Sequence, residues 1–365
     1  MSTRRYVVPI EATQWKTPAS GEVVFDWEYD EGRDKLLSLY EKGKNLQWNA
    51  RSRIDWSLEL DPDNPLQAPD MYNALYGTKL WDKLGDKAKN EVRLHTVAWQ
   101  FSQFLHGEQG ALICAAKIVE TVPDLDSKYY AATQVMDEAR HVEAYSRYLD
   151  EKLELVYPIN PHLKTLLDQV LRDSRWDYTY LGMQILIEGL ALAAFGMIRD
   201  LAVDPLSVQL NAYVMQDEAR HVAFGRFALR DYYPQLTDAE RAEREEFCVE
   251  ACYLMRDRFL AEEVWNNLGY GAEAIEAVKH STIMKEFQKM LFSRIVPALR
   301  DIGLWGPKVR KAFEEMGVMS FAEVDLDGLM QGDEAKAAEL DRAKAAADAA
   351  IAETVSAADV DGSTD

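Results

Sequence analysis

The chain is poor in cysteine and in basic charge, and both shortages exclude whole classes of protein. Three cysteines in 365 residues are too few for the disulfide framework of a small secreted domain. The 41 basic residues stand against 62 acidic ones, and the net charge is −21. Nucleic-acid surfaces are basic, so this balance argues against one. The N-terminus "MSTRRYVVPIEATQW" lacks the apolar core of a secretory signal. No apolar run is expected to reach the membrane-spanning length of about 20 residues. We therefore expect a cytoplasmic protein that binds neither nucleic acid nor membrane.

Alternation of apolar and polar residues at every second position, typical of strands, is scarce, whereas helical spacing is common. Proline-bearing breaks fall at 121–126, 157–162, 203–205 and 234–238. The spacing between them predicts helices over about 32–48, 88–120, 127–155, 163–201, 206–232, 239–265, 273–299 and 307–316. The sequence therefore predicts an all-α fold.

Composition divides the chain into four parts. We expect an N-terminal extension with a first helix over 1–84, a four-helix unit over 85–265, and further helices packed on it over 266–320. The remainder, 321–365, is an acidic, alanine-rich tail: from Ala322 onward it has twelve acidic and three basic residues, a net charge of −9. Because this tail has few large apolar residues to bury, we expect it to be mobile.

The pentapeptide DEARH occurs twice, at 137–141 and 217–221. In each copy a glutamate precedes a histidine by three residues: Glu138 and His141, then Glu218 and His221. Side chains three apart share one face of a helix and can reach a common point. One such pair is weak evidence for a metal site, but two copies inside the same pentapeptide are not plausibly chance.

Each pair has a glutamate 30 residues upstream, Glu108 before Glu138 and Glu188 before Glu218. At about 1.5 Å rise per residue, a helical hairpin with its turn midway brings the two glutamates level. Glu188 lies in the apolar run "QILIEGLALAAFG", which predicts a buried helix. A buried carboxylate is costly unless it is paired or binds a metal. Two divalent cations would neutralise four such glutamates, so the sequence predicts a two-metal site with six ligands. The alternative, two hairpins whose DEARH residues form surface ion pairs, leaves the buried Glu188 unexplained.

The six residues resemble the ligands of the ferritin-like di-iron carboxylate superfamily. In that pattern two helices give one Glu each and two give Glu-x-x-His. The resemblance covers 85–265 and implies a ferritin-like four-helix bundle with additional N- and C-terminal helices. It also implies two Fe ions, with Mn/Fe as the alternative, and O2 as co-substrate. The implied ligands are Glu108, Glu138, His141, Glu188, Glu218 and His221.

Within the superfamily the chain most resembles the oxygenases and the small subunit of ribonucleotide reductase. The segment 39–57 is similar to the part of that subunit where a tryptophan lies near the cluster, which implies this place for Trp48. Tyr145 falls where the subunit carries its radical tyrosine, although a core aromatic is the alternative. Leu192 replaces the threonine common in bacterial multicomponent monooxygenases, and Val214 replaces the extra histidine of arylamine N-oxygenases. We therefore expect neither subgroup.

The resemblance implies that the aspartates preceding the ligand glutamates hydrogen-bond the histidine of the opposite hairpin. Arginines would pair with them; a plain surface role is the alternative. These residues are Asp137, Asp217, Arg140 and Arg220. Apolar residues one turn from the upstream glutamates predict a substrate pocket lined by Ala111, Leu112, Ala115, Leu192 and Phe195. Gly182, Gly189 and Gly196 indicate either close helix packing or room beside Glu188.

The function that the sequence predicts is an O2-activating di-iron oxygenase acting on a small hydrophobic or aromatic compound. A radical-generating protein and a ferritin-type iron-binding protein are the alternatives. No nucleotide-binding fingerprint is present, so the electrons are expected from a separate reductase or ferredoxin. The resemblance implies a homodimer.

Overall fold

The computed structural model describes residues 5–9, 15–27, 29 and 32–361, and the predicted all-α fold is confirmed. Two strands of two residues, β1 (Arg5–Tyr6) and β2 (Leu155–Val156), form a short parallel ladder. The helices are α1 (Asp34–Asn45), α2 (Ala50–Arg53), α3 (Lys79–Lys83), α4 (Asp86–Thr121), α5 (Leu125–Tyr148), α6 (Pro161–Arg172), α7 (Trp176–Tyr180), α8 (Glu188–Leu201), α9 (Pro205–Tyr232), α10 (Asp238–Arg258), α11 (Glu262–Asn267), α12 (Gly271–His280), α13 (Thr282–Met290), α14 (Ile295–Asp301), α15 (Pro307–Met316) and α16 (Leu326–Asp361).

Two helical hairpins, α4 with α5 and α8 with α9, form the bundle. The second helix of each hairpin begins in the same way: Asp124 accepts a hydrogen bond from the backbone N–H of Ser127 at 2.9 Å, and Asp204 from that of Ser207 at 2.7 Å. An aspartate at this position satisfies a free N–H of the first turn and fixes where the helix starts. The caps are 80 residues apart, as are the two DEARH copies, so the duplication extends to the helix starts.

The prediction of one helix over 163–201 is wrong, because the chain leaves the helical conformation at Asp173. The Lys117 ammonium of α4 donates to the backbone oxygens of Val170, Leu171 and Asp173 at 3.2, 3.0 and 2.6 Å. A cation that binds the last carbonyls of a helix stabilises its end. The helix resumes at Trp176.

From Trp176 the helix continues to Leu201, with a π-helical stretch over Leu181–Ile187 between α7 and α8. This segment is long and apolar enough to cross a membrane, which corrects the expectation that no run reaches that length. Within the protein, 83% of its apolar window is buried. The apolar surface is therefore covered by neighbouring helices of the bundle.

Two further predicted helices are divided. The helix predicted over 239–265 ends at Arg258, since Ala261 adopts a left-handed conformation with φ of 51° before α11 begins. The helix predicted over 273–299 is three helices, α12 to α14. The first break is at Ser281, whose side chain accepts from the backbone N–H of Met284 and starts α13.

The tail forms the long helix α16, and its first half is packed against the body. Asp333 is buried and pairs with Arg199 at 3.0 Å and with Arg294 at 2.8 Å. Four residues further on, Ala337 is fully buried. The expectation that the tail has little to bury is therefore wrong here: the acidic Asp333 pairs with Arg199 of α8 and with Arg294 next to α14, which composition does not reveal.

Candidate metal centre

The bundle brings the six predicted ligands together in its interior. α4 supplies Glu108, α5 supplies Glu138 and His141, α8 begins at Glu188, and α9 supplies Glu218 and His221. All six side chains are buried. The glutamates of α5 and α9 follow the capping aspartate of their own helix by 14 residues. The upstream glutamates precede the same aspartates by 16 residues. The repeated caps therefore set the same register in both hairpins.

The six side chains form two overlapping groups of four. Within each group, the candidate ligand atoms all lie within 4.8 Å of one another. One group is Glu108, Glu138, His141 and Glu218; the other is Glu138, Glu188, Glu218 and His221. Glu138 and Glu218 belong to both groups. The arrangement is that of two adjacent ion positions with two shared carboxylates, one unshared carboxylate and one imidazole each.

Both imidazoles turn the same nitrogen toward the glutamates. His141 Nδ1 lies 3.0 Å from Glu218 Oε1 and 3.2 Å from Glu108 Oε2. His221 Nδ1 lies 3.1 Å from Glu138 Oε1 and 3.4 Å from Glu218 Oε1. Each Nδ1 therefore lies where it would face an ion held by these carboxylates.

The opposite nitrogens meet aspartates of the other hairpin. His141 Nε2 lies 3.1 Å from Asp217 Oδ2, and His221 Nε2 lies 3.2 Å from Asp137 Oδ2. An Nε2–H that donates to a carboxylate leaves the lone pair of Nδ1 directed at the glutamates. The geometry is the crossed pairing that the resemblance implied.

Burial and the mutual repulsion of the four carboxylates shift the pKa values of the cluster. Burial, together with the nearby Glu218 carboxylate, raises the pKa of Glu108 and of Glu188 well above its usual range. Burial opposes the charge of Glu138 too, but His221 and His141 hold the pKa of that carboxyl below its ordinary value. Burial and mutual repulsion therefore oppose the charged forms of Glu108 and Glu188, whereas the two imidazoles favour the charged form of Glu138.

Several ligand atoms have no hydrogen-bond partner within the described part of the chain. They are Glu138 Oε2, Glu188 Oε2, both carboxylate oxygens of Glu218, and His221 Nδ1. Buried polar atoms are nearly always satisfied, so a cluster of unpaired lone pairs at one point is typical of a metal site. Carboxylates and imidazoles suit Fe or Mn. The residues present therefore fit two such ions, whose charge would also neutralise the four carboxylates.

A network of charged residues surrounds the cluster. Arg140 Nη2 donates to Asp137 Oδ1 and to Asp217 Oδ2, both at 2.6 Å, and so joins the two hairpins. Arg220 Nη2 donates to Asp217 Oδ1. Trp48 Nε1 donates to Asp217 Oδ2 at 2.7 Å. The two aspartates and two arginines of the DEARH copies are all buried, so the alternative of surface ion pairs is wrong for them.

Three glutamines next to the cluster were missed by sequence reasoning. Gln47 donates to Asp137 Oδ1 at 2.7 Å and accepts from Arg140 Nη1 at 2.6 Å. Gln134 Nε2 donates to Glu138 Oε1 at 3.0 Å and to Glu188 Oε1 at 2.8 Å, and Gln184 Nε2 donates to Gln134. Gln134 was detectable, because it lies one turn before Glu138 on the same face.

Tyr145 lies in an aromatic cluster beside the site. Its ring contacts Phe101, Phe104 and Phe195, and its hydroxyl donates to Asn211 Oδ1 at 3.2 Å. Burial, followed by the charges of the glutamates, raises the pKa of this phenol well above its usual range. The hydroxyl is therefore held protonated next to the ligands.

A small inner cavity of about 20 Å³ lies against Glu108, Glu188 and Glu218. Its remaining wall is apolar apart from Gln103 and Arg258, and it includes Phe104, Gly107, Ala111, Met183, Ile187, Ala191 and Phe195. Two predicted pocket residues, Ala111 and Phe195, are on this wall.

The other predicted pocket residues, Leu112, Ala115 and Leu192, do not line the inner cavity. The cavity lies on one flank of both glutamate-bearing helices, and spacing alone does not reveal which flank. The glycines do not open it either. A side chain at Gly182 would meet Val170 at 2.2 Å and one at Gly189 would meet Ile295 at 3.3 Å, as close helix packing requires.

Fold and site together define a ferritin-like di-iron oxidoreductase, in which two helical hairpins enclose a cluster of carboxylates and imidazoles. A family model described as P-aminobenzoate N-oxygenase AurF matches residues 30–303. The match covers most of the chain, and the chain belongs to this family. No curated protein sequence matches the chain.

Solved structures with similar folds belong to the same superfamily. Dimanganese(II)-NrdF of Streptococcus sanguinis has a TM-score of 0.50 and 15% identity, over 82% of this chain and 99% of that one. An R2-like ligand-binding oxidase from Sulfolobus acidocaldarius has a TM-score of 0.44 and 17% identity, over 76% and 92%. A protein from Synechococcus with aldehyde deformylating oxidase activity has a TM-score of 0.43 and 17% identity, over 60% and 95%. At such identities the likeness concerns the fold alone.

The family match corrects one expectation. Val214, in place of a histidine, predicts that the chain lies outside the arylamine N-oxygenases, but the family model extends across this position and this prediction is wrong. Val214 is fully buried on α9, two turns before His221. The substitution leaves the centre with two imidazoles rather than three, and it does not remove the chain from the family.

Proposed function

We propose that Glu108, Glu138, His141, Glu188, Glu218 and His221 bind two Fe ions, with Mn/Fe as the alternative pair. The observation that carries this is the overlap of the two ligand groups at Glu138 and Glu218. The two shared carboxylates would hold two cations close together, and the total charge of +4 would offset the four glutamates.

The function we propose is O2-dependent oxygenation of a small hydrophobic or aromatic compound, with an aromatic amine as the first candidate. The match to the N-oxygenase family supports the amine, and the apolar wall of the inner cavity supports the aromatic body. When bound, the two ions supply the activation of O2. The monooxygenase reaction consumes O2, two electrons and two protons and releases water. A separate reductase or ferredoxin is proposed as the electron donor.

The chain's own residues position the centre and keep it dry. Asp217 and Asp137 orient His141 and His221, and the buried Arg140 links both aspartates. Phe104 and Phe195, in edge-to-face contact with ring centres 4.6 Å apart, shield the cavity side of the cluster. Excluding water protects a reactive centre from side reactions. We further propose a cytoplasmic homodimer that binds neither nucleic acid nor membrane.

The test is anaerobic loading with Fe(II), followed by metal analysis and exposure to O2 with 4-aminobenzoate and a chemical reductant. Two Fe per chain and an oxygenated nitrogen in the product, seen by mass spectrometry with ¹⁸O2, are expected. The matched variant Glu188→Ala should bind less iron, whereas Glu143→Ala, on the exposed side of α5, should bind the wild-type amount.

Two other functions predict different results. A radical-generating protein would give a persistent tyrosyl signal in electron paramagnetic resonance after O2 exposure, lost in Tyr145→Phe, and this result would contradict the oxygenase. A ferritin-type protein would oxidise many Fe(II) per chain and accumulate mineral.

A further inference from the structure

A second cavity, which we call the outer chamber, lies apart from the metal centre. Its volume is about 520 Å³, within the range of sites that hold a small organic molecule. The wall is formed by the segment 64–74, by α4 and α8, and by residues between Phe259 and Met290. Among the described residues, none lines both the outer chamber and the inner cavity.

The outer chamber lies on the two helices that carry the upstream glutamates, but farther along each of them. Gln100 on its wall precedes Glu108 by eight residues, and Ile198 follows Glu188 by ten. At about 1.5 Å rise per residue, these offsets correspond to about 12 and 15 Å. The outer chamber is therefore a separate site and not a part of the cluster.

The outer chamber opens to the surface between large apolar side chains. Met71, Tyr72 and Met290 on its wall are 54%, 46% and 45% exposed. Exposed apolar side chains that lie together mark a binding groove or an interaction site. The mouth of the chamber therefore favours an apolar molecule.

Buried aromatic rings form part of the wall. The Phe259 ring meets Trp99 and Phe287 edge to face, with ring centres 6.0 and 5.3 Å apart. The indole N–H groups of the wall are already satisfied: Trp99 donates to Glu263 at 3.2 Å, and Trp265 to a backbone oxygen at 2.7 Å. Both tryptophans therefore offer a ligand only apolar ring surface.

The charges on the wall are compensated within the protein. Among the described lining residues, the charged ones are Asp70, Arg93 and Glu286. Arg93 Nη2 donates to both oxygens of Asp70, at 2.7 and 2.9 Å, and Glu286 pairs with Lys289 at 2.8 Å. A charged ligand would lose its hydration without gaining a free ionic partner, so the wall favours an uncharged one.

Gln100 gives the chamber a polar group that is free to bind a ligand. Within the described part of the chain, its carboxamide has no hydrogen-bond partner. By contrast, Gln103 of the same helix donates to the backbone oxygen of Pro158 at 2.9 Å and accepts from the N–H of Asn160 at 2.7 Å. A carboxamide can both donate and accept. Gln100 is therefore suited to one neutral polar group, such as a hydroxyl.

We propose that the outer chamber binds an uncharged, mostly apolar organic molecule, with one polar group hydrogen-bonded to the carboxamide of Gln100. The rings of Trp99 and Phe259 would contact its apolar body. The inference goes beyond the proposed function and does not rest on it, because none of the six metal ligands takes part.

Titration of the full chain with N-phenyl-1-naphthylamine tests the site, since this uncharged aromatic probe fluoresces more strongly in apolar surroundings. One probe molecule per chain should bind, both to the metal-free protein and to the Fe(II)-loaded protein under anaerobic conditions. Ala74→Trp, on the wall, places an indole in the space of the ligand and should lower the affinity at least about 10-fold. The matched control Ala322→Trp, at a half-buried alanine outside the wall, should bind the probe as the wild type does.

Displacement of the probe by three related compounds tests the ligand class. The hydrogen bond to Gln100 should make 2-naphthol bind about 2- to 10-fold more tightly than naphthalene. The anion 2-naphthoate should bind least tightly, because the wall offers it no free cation. In Gln100→Leu the preference for 2-naphthol over naphthalene should disappear, with the melting temperature unchanged.

The matched control Gln103→Leu removes a glutamine whose carboxamide is fully bonded. It should lower the melting temperature and leave the preference for 2-naphthol intact. A preference that survives in Gln100→Leu, or 2-naphthoate binding as tight as that of 2-naphthol, would overturn the inference.

Two results with the probe itself would also overturn it: no saturable binding, or an affinity that Ala74→Trp leaves unchanged. If a second copy of the chain covered the mouth instead, the probe would not bind and Ala74→Trp would change the molar mass in light scattering. None of these results depends on iron, so the proposed di-iron oxygenase stands or falls by its own test.

Discussion

Replacing Asp217 by asparagine removes the most heavily used charge around the cluster. One oxygen of Asp217 accepts from Arg140 at 2.6 Å, from Trp48 at 2.7 Å and from His141 at 3.1 Å, and the other accepts from Arg220. Arg140 keeps a second carboxylate in the variant, but Arg220, which is fully buried, loses its close partner. Breaking a buried ion pair from one side costs about 3 to 5 kcal/mol.

The same change weakens metal binding, because His141 loses the carboxylate that orients it. Loss of such an outer partner lowers metal affinity by about 10- to 100-fold. Asp137→Asn is the matched variant in the other hairpin. Asp137 lies 3.9 Å from Arg220, and its close partner Arg140 keeps Asp217. We therefore expect a similar loss of metal affinity but a smaller loss of stability.

The assays are urea unfolding of the metal-free proteins, followed by circular dichroism, and Fe(II) titration against a competing chelator. Asp217→Asn should unfold with a free energy about 3 kcal/mol or more below the wild type. The reasoning is refuted if Asp217→Asn stays within about 0.5 kcal/mol of the wild type, the range of neutral surface changes. Unchanged Fe(II) affinity in both variants would refute the orienting role.

Three further predictions concern pH, packing and the tail. In the metal-free protein the pKa values of both upstream glutamates and both histidines are raised, so the stability that these four groups contribute is fully present below their unfolded pKa values and is lost as pH rises through the folded ones. The gap in melting temperature between metal-loaded and metal-free protein should widen from about pH 6 to about pH 8, and a constant gap would contradict this. Gly182→Ala should destabilise the protein by about 1 to 3 kcal/mol, because its methyl group would overlap Val170. Gly332→Ala, which meets nothing within 4 Å in α16, should stabilise it by about 0.5 to 1 kcal/mol, and equal effects in urea unfolding would refute the packing argument. Asp333→Asn should lower the melting temperature because Arg199 and Arg294 lose a buried partner. The exposed Asp348→Asn should leave the melting temperature unchanged. Equal melting temperatures of the two variants would show that the ion pairs of Asp333 do not stabilise the packing of α16.

The bundle and the convergence of the six side chains were predictable because the same sequence pattern occurs in both hairpins. The DEARH copies, their upstream glutamates and the capping aspartates Asp124 and Asp204 repeat with one spacing. Because the rise per residue of a helix is constant, residues at equal offsets from the turn lie at the same level along the hairpin axis. A local rule therefore sufficed to place residues that are far apart in sequence.

What the sequence did not reveal depends on contacts between distant segments. The helix break at Asp173 is stabilised by Lys117, a residue of another helix. The packing of α16 depends on Arg199 and Arg294, and composition alone indicated a solvated tail.

The central claim is that two ions lie between the hairpins and share Glu138 and Glu218. The most direct measurement is X-ray diffraction from Fe(II)-loaded crystals with anomalous data on both sides of the iron absorption edge. Two iron peaks are expected within about 4 Å of each other, the separation usual for two-metal sites, one next to His141 and the other next to His221. A single peak, or iron bound outside this cluster of glutamates, would contradict the account.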